Sequence, residues 1–195
     1  MRWGLFFRMS TPEQVIYLNV PVERIAVLVG TDGQTKRLIE ETFGVTVKVD
    51  SSSGQVELRP RQGGGDPTAL LKARDAIVAI GNGFSPEKAL QLSRDEVVLE
   101  VIDVSEYVGK DPEDLKRVMG RIIGAQGKTR RIIEETAHVD LAITRDKVSI
   151  IGHPEDVDAA KRAVMMLIEG AMHSTVYRFL DQYAQRRKFS RRGLF

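Results

Sequence analysis

The chain contains the same sequence motif twice, and this internal repeat constrains its fold more than any other feature. Residues 30–42 read GTDGQTKRLIEET, and residues 124–136, ninety-four positions later, read GAQGKTRRIIEET. Both glycines, a threonine, two basic residues, two aliphatic residues and the closing Glu-Glu-Thr recur in register. A repeat at this period predicts two copies of one folding unit rather than one larger domain.

The composition fits a soluble chain of two units. At 195 residues the chain has room for two domains of about ninety residues each. Its 42% hydrophobic content is enough for packed cores, and 29% of its residues are charged. No apolar run approaches the roughly 20 residues that cross a bilayer, so no membrane partner is expected. The absence of cysteine excludes disulfides and thiolate zinc sites, and we expect a cytoplasmic location.

Both copies predict the same order of elements: strand, helix, G-x-x-G, helix, strand, strand, helix. Segments rich in β-branched residues predict the strands, and apolar residues at steps of three and four predict the helices. Three strands covered on one face by three helices make an α+β unit. The predicted segments are strands 15–22, 45–49, 56–58, 97–104, 139–143 and 148–151, and helices near 24–29, 70–80, 115–123 and 157–167.

The repeat also sets the predicted domain boundaries. We expect an N-terminal tail at 1–13, a first domain at 14–95, a second at 96–182 and a basic tail at 183–195. The glycine run at 63–65 interrupts only the first copy and predicts a loop. The basic tail has two interpretations, a frayed terminus or an electrostatic arm for nucleic acid.

The G-x-x-G sequences predict sites for a phosphate chain. Glycine allows a sharp turn between two helices and lets a sugar-phosphate backbone come close. The following helix presents unpaired N–H groups and the positive end of its dipole. Residues 116–131 hold six basic residues and no acidic one, although the net charge of the chain is only +2. This local charge surrounds the second G-x-x-G and favours anion binding there.

A nucleotide P-loop is excluded by spacing. That loop needs four residues between its glycines before Gly-Lys-Ser/Thr, and here there are two. The first copy also has Gln34 where the lysine should be.

The order of elements around G-x-x-G resembles the type I KH domain, which holds about four unpaired nucleotides over its GXXG loop. By that resemblance the chain is α+β, with two tandem type I KH domains, each a three-stranded sheet packed on three helices. By the same resemblance, aliphatic residues would form the floor of the RNA groove. Ile123 and Ile132 are further candidates for this floor, whereas Ile133 and Ile143 are interpreted as core residues. The residues predicted to contact RNA are Arg121, Ile122, Gly124, Ala125, Gln126, Gly127, Lys128, Arg130, Arg131 and Leu141 in the second copy, and Gly30, Thr31, Gly33, Lys36 and Arg37 in the first.

Longer matching segments narrow the resemblance to one family of tandem KH-domain proteins. Residues 72–75, 79–90, 120–124 and 167–177 are similar to the archaeal relatives of the partner-of-Nob (Dim-two-type) ribosome assembly factors. The resemblance covers roughly residues 14–185. It implies binding near the 3′ end of small-subunit ribosomal RNA during maturation, with a Nob-type endonuclease and a translation initiation factor subunit as partners.

The two copies differ in chemistry. Asp32 lies inside the first loop, where a phosphate would pass, and Gln34 replaces Lys128. A carboxylate near a phosphate costs about 1 kcal/mol. We therefore predict that the second copy is the main RNA clamp, and that the first binds RNA weakly or docks a protein.

Nothing in the sequence predicts catalysis, a metal or a cofactor. The three histidines are isolated, and we interpret them as surface or packing residues. The Glu-Glu pair in each copy suggests a metal nuclease, but neighbouring helix positions point about 100° apart, so ionic partners on the helix are favoured. Three functions remain open: a non-catalytic assembly factor that binds single-stranded RNA, a KH subunit of an RNA-degrading complex or the sister tandem-KH assembly paralog, and a mainly protein-binding scaffold.

Overall fold

The computed structural model describes residues 15–61 and 67–191, and within them the chain forms two α+β units of the same topology. Each unit has a three-stranded antiparallel sheet, in the order β1-β3-β2 in the first and β4-β6-β5 in the second. The predicted order of elements is therefore confirmed in both copies. The predicted N-terminal tail and the glycine run at 63–65 lie outside the described residues.

The first unit joins its elements by short turns. It contains β1 (Ile16–Asn19), α1 (Val22–Val29), α2 (Gln34–Phe43), β2 (Val45–Val49), β3 (Gln55–Pro60), α3 (Pro67–Gly81) and the single-turn α4 (Pro86–Ala89). A 3₁₀ turn at Thr31–Gly33 separates α1 from α2, and another at Leu90–Ser93 follows α4.

The second unit repeats this order and adds to it. It contains β4 (Val98–Asp103), α5 (Ser105–Val108), α6 (Pro112–Ile123), α7 (Lys128–Ala137), β5 (Asp140–Ile143), β6 (Lys147–Gly152), α8 (Pro154–Ile168) and α9 (His173–Arg191). The second unit has an additional segment between β4 and α6, which forms α5 and the loop to Pro112. Among the described residues no helix is long and apolar enough to cross a membrane.

Helix α6 shows how the sequence folds locally. Asp111 accepts hydrogen bonds from the backbone N–H groups of Glu113 and Asp114, and Pro112 begins the helix with its preset φ angle. Its buried residues recur at helical spacing and face one side: Leu115, Val118, Met119 and Ile122. That side packs into the core of the second unit. The helix ends at Gly124, at the start of the second G-x-x-G.

The two central strands differ on the face that points away from their own helices. Glu57 and Arg59 occupy this outer face of β3, and an ion pair joins them at 2.5 Å. The equivalent positions on β6 are Ser149 and Ile151, which are 0% and 1% exposed. The outer face of the second sheet is therefore covered, whereas charged residues occupy that of the first.

The first unit is what covers the second sheet. Ile151 and Ala142 belong to the same buried cluster as the first unit's core. Asn82, after α3, donates from Nδ2 to Ser149 Oγ at 3.0 Å. Lys88 on α4 forms an ion pair of 2.7 Å with Asp140 on β5. The junction between the units is thus a packed interface and not a flexible linker.

The last helix continues past the predicted C-terminal boundary at 182. Helix α9 runs without a break to Arg191, so the segment from Tyr183 is neither a frayed terminus nor a separate arm as far as it is described. Tyr183 Oη donates to Asp156 Oδ1 at 2.5 Å, and Arg187 forms an ion pair with the same carboxylate. The buried Asp156 anchors the end of the helix, which a count of tail charges could not reveal.

Candidate nucleic-acid interface

The first glycine of each G-x-x-G makes a turn that no other residue could make without strain. Gly30 and Gly124 have φ angles of 73° and 72°. A Cβ atom added to Gly124 would lie 2.2 Å from Thr129 Oγ1, and one added to Gly30 would lie 2.3 Å from Thr35 Oγ1. Both the backbone angle and the close approach of a threonine therefore require glycine here. We call residues 30–33 the first elbow and residues 124–127 the second elbow.

The second glycine of each elbow has a left-handed backbone conformation, and the space beside it is open to solvent. Gly33 and Gly127 have φ of 75° and ψ of 17° and 16°. An added Cβ would meet nothing within 4 Å at either position. The space beside these glycines is therefore free for a ligand, and both helices that follow, α2 and α7, begin here without an acidic residue in their first turn.

Charge distinguishes the two elbows. Lys128 begins α7 and is exposed, whereas Gln34 begins α2. Arg131 is also exposed, and its Nη2 donates to the Gln126 carbonyl at 3.2 Å, so a cation is held over the second elbow. The second elbow thus combines a helix N-terminus with fixed positive charge, an arrangement that suits phosphate.

The first elbow keeps one of these cations. Arg37 Nη2 donates to the Asp32 carbonyl at 2.6 Å, as Arg131 does to Gln126. Asp32 itself is exposed in the elbow and adds a negative charge. The cation and the carboxylate oppose each other, so this elbow attracts an anion less strongly.

The first glutamate of each Glu-Glu pair is structural. Glu134 Oε1 accepts from the Leu141 backbone N–H at 2.9 Å, and Glu40 Oε1 accepts from the Val47 N–H at 2.8 Å. Each of these bonds fixes an edge strand against the helix that follows the elbow. No group of His, Cys, Asp or Glu within the described residues could hold a metal ion.

Basic residues four positions before these glutamates, one helical turn earlier, pair with them. Lys36 Nζ lies 3.4 Å from Glu40, and Arg130 Nη2 lies 3.3 Å from Glu134. Arg130 Nη2 also donates to the Leu141 carbonyl at 2.7 Å. These two predicted RNA contacts are thus partly engaged inside the protein, although both side chains keep exposed surface.

Arg121 has a structural role that the sequence did not predict. Its Nη2 donates to the Ala171 carbonyl at 2.7 Å, and its Nε donates to the Leu167 carbonyl at 3.4 Å. These carbonyls lie at the turn between α8 and α9. The guanidinium therefore ties the end of α6 to that turn and is not free to follow an RNA strand.

Two predicted groove residues are core residues. Ile122 is 0% exposed and Leu141 is 1% exposed, so neither side chain is available to RNA. The helical stripe of α6 turns Ile122 inward and leaves its neighbour Ile123 37% exposed. Ile132 and Ile143 are partly buried beside the same core. The apolar wall of a groove would consist of these three isoleucines, and Ile133 is in the core as predicted.

The remaining predicted residues lie where a ligand could reach them. Exposed positions are Ala125, Gln126, Lys128, Arg131, Thr31 and Arg37, and partly exposed positions are Gly124, Gly127, Gly30, Gly33 and Lys36. The sequence analysis missed Thr129, Tyr177 and His173. Tyr177 contacts Thr129 in the helix that follows the second elbow, and His173 contacts the Arg121 carbonyl in the helix that precedes it. Thr129 is part of the repeated phrase, but nothing in the phrase predicts its partner on α9.

Comparison with known families matches both units. Residues 98–185 match the eukaryotic type KH-domain family (KH-domain type I), and residues 15–79 match the KH domain family. The topology and the two elbows described above fall within these matches.

Comparison with individual proteins extends the similarity over nearly the whole chain. The KH domain-containing protein MJ0443 of Methanocaldococcus jannaschii is 40% identical over 187 residues, which are 96% of this chain and 82% of that protein. The pre-rRNA-processing protein pno1 of Schizosaccharomyces pombe is 32% identical over 73% of this chain and 59% of its own length.

A solved structure shares the fold. A chain in the crystal structure of the a/eIF2alpha-aDim2p-rRNA complex from Pyrococcus horikoshii superposes with a TM-score of 0.84 at 39% identity. The superposition covers 91% of this chain and 97% of that one.

Proposed function

The chain belongs to the Dim2/PNO1 family of tandem KH-domain proteins, and on this premise we propose that it binds single-stranded RNA during maturation of the small ribosomal subunit. The observation that carries the proposal is the second elbow, which presents an open glycine turn, a helix N-terminus and exposed Lys128 and Arg131 on one surface. Backbone N–H groups and cations contact phosphates without reading bases. The isoleucines beside the elbow offer an apolar wall for unstacked bases.

The packing of the two units supports this assignment. Among the described residues, the first unit contacts the second through the outer face of the second sheet, at Ser149, Ile151 and Asp140. That face is opposite the helices of the second unit. The interface therefore leaves the second elbow uncovered and accessible to a polynucleotide.

We propose further that the second unit is the main RNA clamp. The two elbows have the same backbone shape, but their charges differ. Lys128 adds a cation to the second elbow, whereas Asp32 adds an anion to the first. A single unfavourable charge near a phosphate costs about 1 kcal/mol at the surface, which is about a fivefold loss of affinity. The first elbow is left with weak RNA binding or a protein contact.

Gly127→Asp and Gly33→Asp make a matched pair of variants to test the proposal. Both glycines have the same backbone angles and open space for a side chain, so the strain of the two substitutions is equal. RNA affinity is measured by fluorescence anisotropy with a single-stranded oligonucleotide of the 3′ end of the cognate small-subunit rRNA. We expect Gly127→Asp to lower affinity about tenfold or more and Gly33→Asp to lower it less than about threefold.

Each outcome of that experiment decides one part of the proposal. Equal losses would refute the asymmetry between the elbows. No loss in either variant would refute RNA binding through the elbows and would favour the scaffold function. Binding to the oligonucleotide should also fall steeply with salt and exceed binding to a duplex of the same sequence.

The target and the partners follow from the family and extend the proposal. We place the binding site near the 3′ end of small-subunit rRNA, and crosslinking to that end rather than to bulk transcripts separates this function from service in an RNA-degrading complex. The complex from Pyrococcus horikoshii contains a/eIF2alpha with aDim2p and rRNA. Initiation factor 2α is therefore one partner to test by co-purification from cytoplasmic extract. A Nob-type endonuclease, which the family resemblance implies, is the second. The proposal assigns no catalytic step to the chain.

A further inference from the structure

We infer that helix α9 positions the second elbow for RNA, with Tyr177 and His173 as the positioning residues. The inference rests on the proposed function, because it concerns how one of the two elbows is held ready for its ligand. Contacts join both arms of this elbow, residues 121–124 before it and 127–129 after it, to the first turns of α9.

The first contact holds the arm that follows the elbow. Thr129 Oγ1 and Tyr177 Oη share a hydrogen bond of 2.8 Å. Thr129 is the second residue of α7, and it is 1% exposed. Its hydroxyl is also the atom against which Gly124 packs, since a Cβ on Gly124 would lie 2.2 Å from it. Tyr177 thus fixes the one side chain on which the turn of the elbow closes.

The second contact holds the arm that precedes the elbow. The Nε2–H of His173 donates to the Arg121 carbonyl at 2.9 Å, three residues before Gly124. The Arg121 side chain strengthens this connection, because its Nη2 donates to the carbonyl of Ala171, two residues before His173. The rings of His173 and Tyr177 lie 6.1 Å apart, so the two tethers are neighbours on α9.

The first elbow lacks the tether to its second arm. Arg24 joins α1 to the end of α3 through the Ile80 and Phe84 carbonyls, at 2.9 and 2.7 Å, much as Arg121 does in the second unit. The element that follows is the single-turn α4 and not a long helix. Within residues 15–61 and 67–191, no side-chain hydrogen bond links Thr35 to another element.

The physical consequence is preorganisation. An elbow whose turn is held in one geometry loses less conformational entropy when a strand binds, so the same phosphate contacts give a higher affinity. Gln126 has a left-handed φ of 52°, which is uncommon outside glycine, and contacts that hold both sides of the turn oppose its relaxation. The extra helix therefore adds to the difference that Lys128 and Asp32 create between the elbows.

Tyr177→Phe tests the inference, and Tyr183→Phe is its matched control. Both substitutions delete one hydroxyl from α9, but Tyr183 bonds to Asp156 and not to an arm of the elbow. We expect Tyr177→Phe to weaken RNA binding about three- to tenfold and to accelerate hydrogen exchange at residues 125–129. Tyr183→Phe should lower the unfolding midpoint without changing either readout.

A second set of variants isolates the bond itself. Thr129→Val removes the hydroxyl and should weaken binding as much as Tyr177→Phe does, while the double variant should be no worse than either single variant. Thr129→Ser keeps the hydroxyl and should restore affinity. Thr35→Val at the equivalent position of α2 is the matched control, and we expect it to weaken RNA binding less than Thr129→Val does.

The outcomes separate this inference from the proposed function. If Gly127→Asp abolishes binding but Tyr177→Phe binds RNA as the unmodified protein does, the positioning role is overturned and the proposed function stands. If Gly127→Asp has no effect, the proposed function fails. Hydrogen exchange is read without RNA, so unchanged exchange in Tyr177→Phe overturns the positioning role in either case.

Discussion

Asp32 and Gln126 share one backbone conformation, with φ of 51° and 52° and ψ of 28° and 30° at the same position of the two elbows. A left-handed angle is uncommon outside glycine, and aspartate tolerates it better than glutamine does. The second elbow therefore carries the more strained residue in the same shape. Since shape is preserved, the chemical difference at this position decides what each elbow attracts.

Giving the first elbow the residues of the second should make it bind RNA more tightly. The double substitution Asp32→Gln and Gln34→Lys removes an anion and adds a cation where Lys128 lies in the second elbow. In a Gly127→Asp background, which silences the second elbow, we expect RNA affinity to rise about fivefold or more. The salt dependence of binding should steepen by about 0.7 per added phosphate contact. Anisotropy titrations at two salt concentrations measure both, and an unchanged affinity would mean that the first elbow is closed to RNA for another reason.

Gly124→Ala should unfold the elbow, whereas Gly120→Ala on the same helix should not. The new Cβ at position 124 would lie 2.2 Å from Thr129 Oγ1 and 2.8 Å from its backbone nitrogen, at a φ of 72°. We expect a loss of about 2–4 kcal/mol in the free energy of unfolding. Gly120 lies inside α6, and a Cβ there meets nothing within 4 Å. Its replacement should gain about 0.5–1 kcal/mol, and urea titration compares the two.

Placing a charge in the interface between the units should separate them. Ile151→Arg gives β6 the residue that Arg59 provides at the equivalent position of β3, but Ile151 is 1% exposed and shares the first unit's core. We expect a loss of about 3 kcal/mol or more and the appearance of two calorimetric transitions in place of one. The reciprocal Arg59→Ile should change stability by less than about 0.5 kcal/mol. A single, unshifted transition in Ile151→Arg would contradict a packed junction.

Tyr183 should titrate at a higher pH than an ordinary tyrosine side chain. Burial, and then the hydrogen bond to Asp156, raise the pKa of Tyr183 above its ordinary value of 10.0. Because the folded state keeps the proton to higher pH, this contribution to stability is complete below pH 10.0 and is lost as the pH rises above it. Phenolate absorbance at 295 nm should therefore show a late step that is missing in Tyr183→Phe. If the substitution removes a tyrosine that titrates near pH 10, the contact with Asp156 is absent in solution.

The repeated phrase predicted the elements and the elbows, but it did not predict which aliphatic residues reach the surface. Ile122 and Ile123 are neighbours of the same type, and only the helical direction of α6 separates a core residue from an exposed one. The stripe of Leu115, Val118 and Ile122 carried that signal in the sequence. Leu141 was also misplaced by sequence. Its side chain is 1% exposed in the core, and its backbone N–H, which donates to Glu134 Oε1, faces the helix that follows the elbow.

The covered sheet also had a signal in the sequence. The central strand β3 alternates apolar and charged residues, as in Val56-Glu57-Leu58-Arg59, whereas β6 reads Val148-Ser149-Ile150-Ile151. Alternation predicts one face in water, and a run without charge predicts a strand buried on both faces. Comparing the two copies therefore indicated that something covers the second sheet, although it did not say what.

Sequence alone determined the two units, the order of their strands and helices, and the glycine turns, because these depend on periodicity and on backbone angles that neighbouring residues specify. Tertiary structure decided which cations remain free, that α9 continues past Tyr183, and that Tyr177 meets Thr129. Those features depend on contacts between residues far apart in the chain, such as the 48 positions that separate Thr129 from Tyr177. No local pattern records such a contact, since its free energy exists only once the helices have packed.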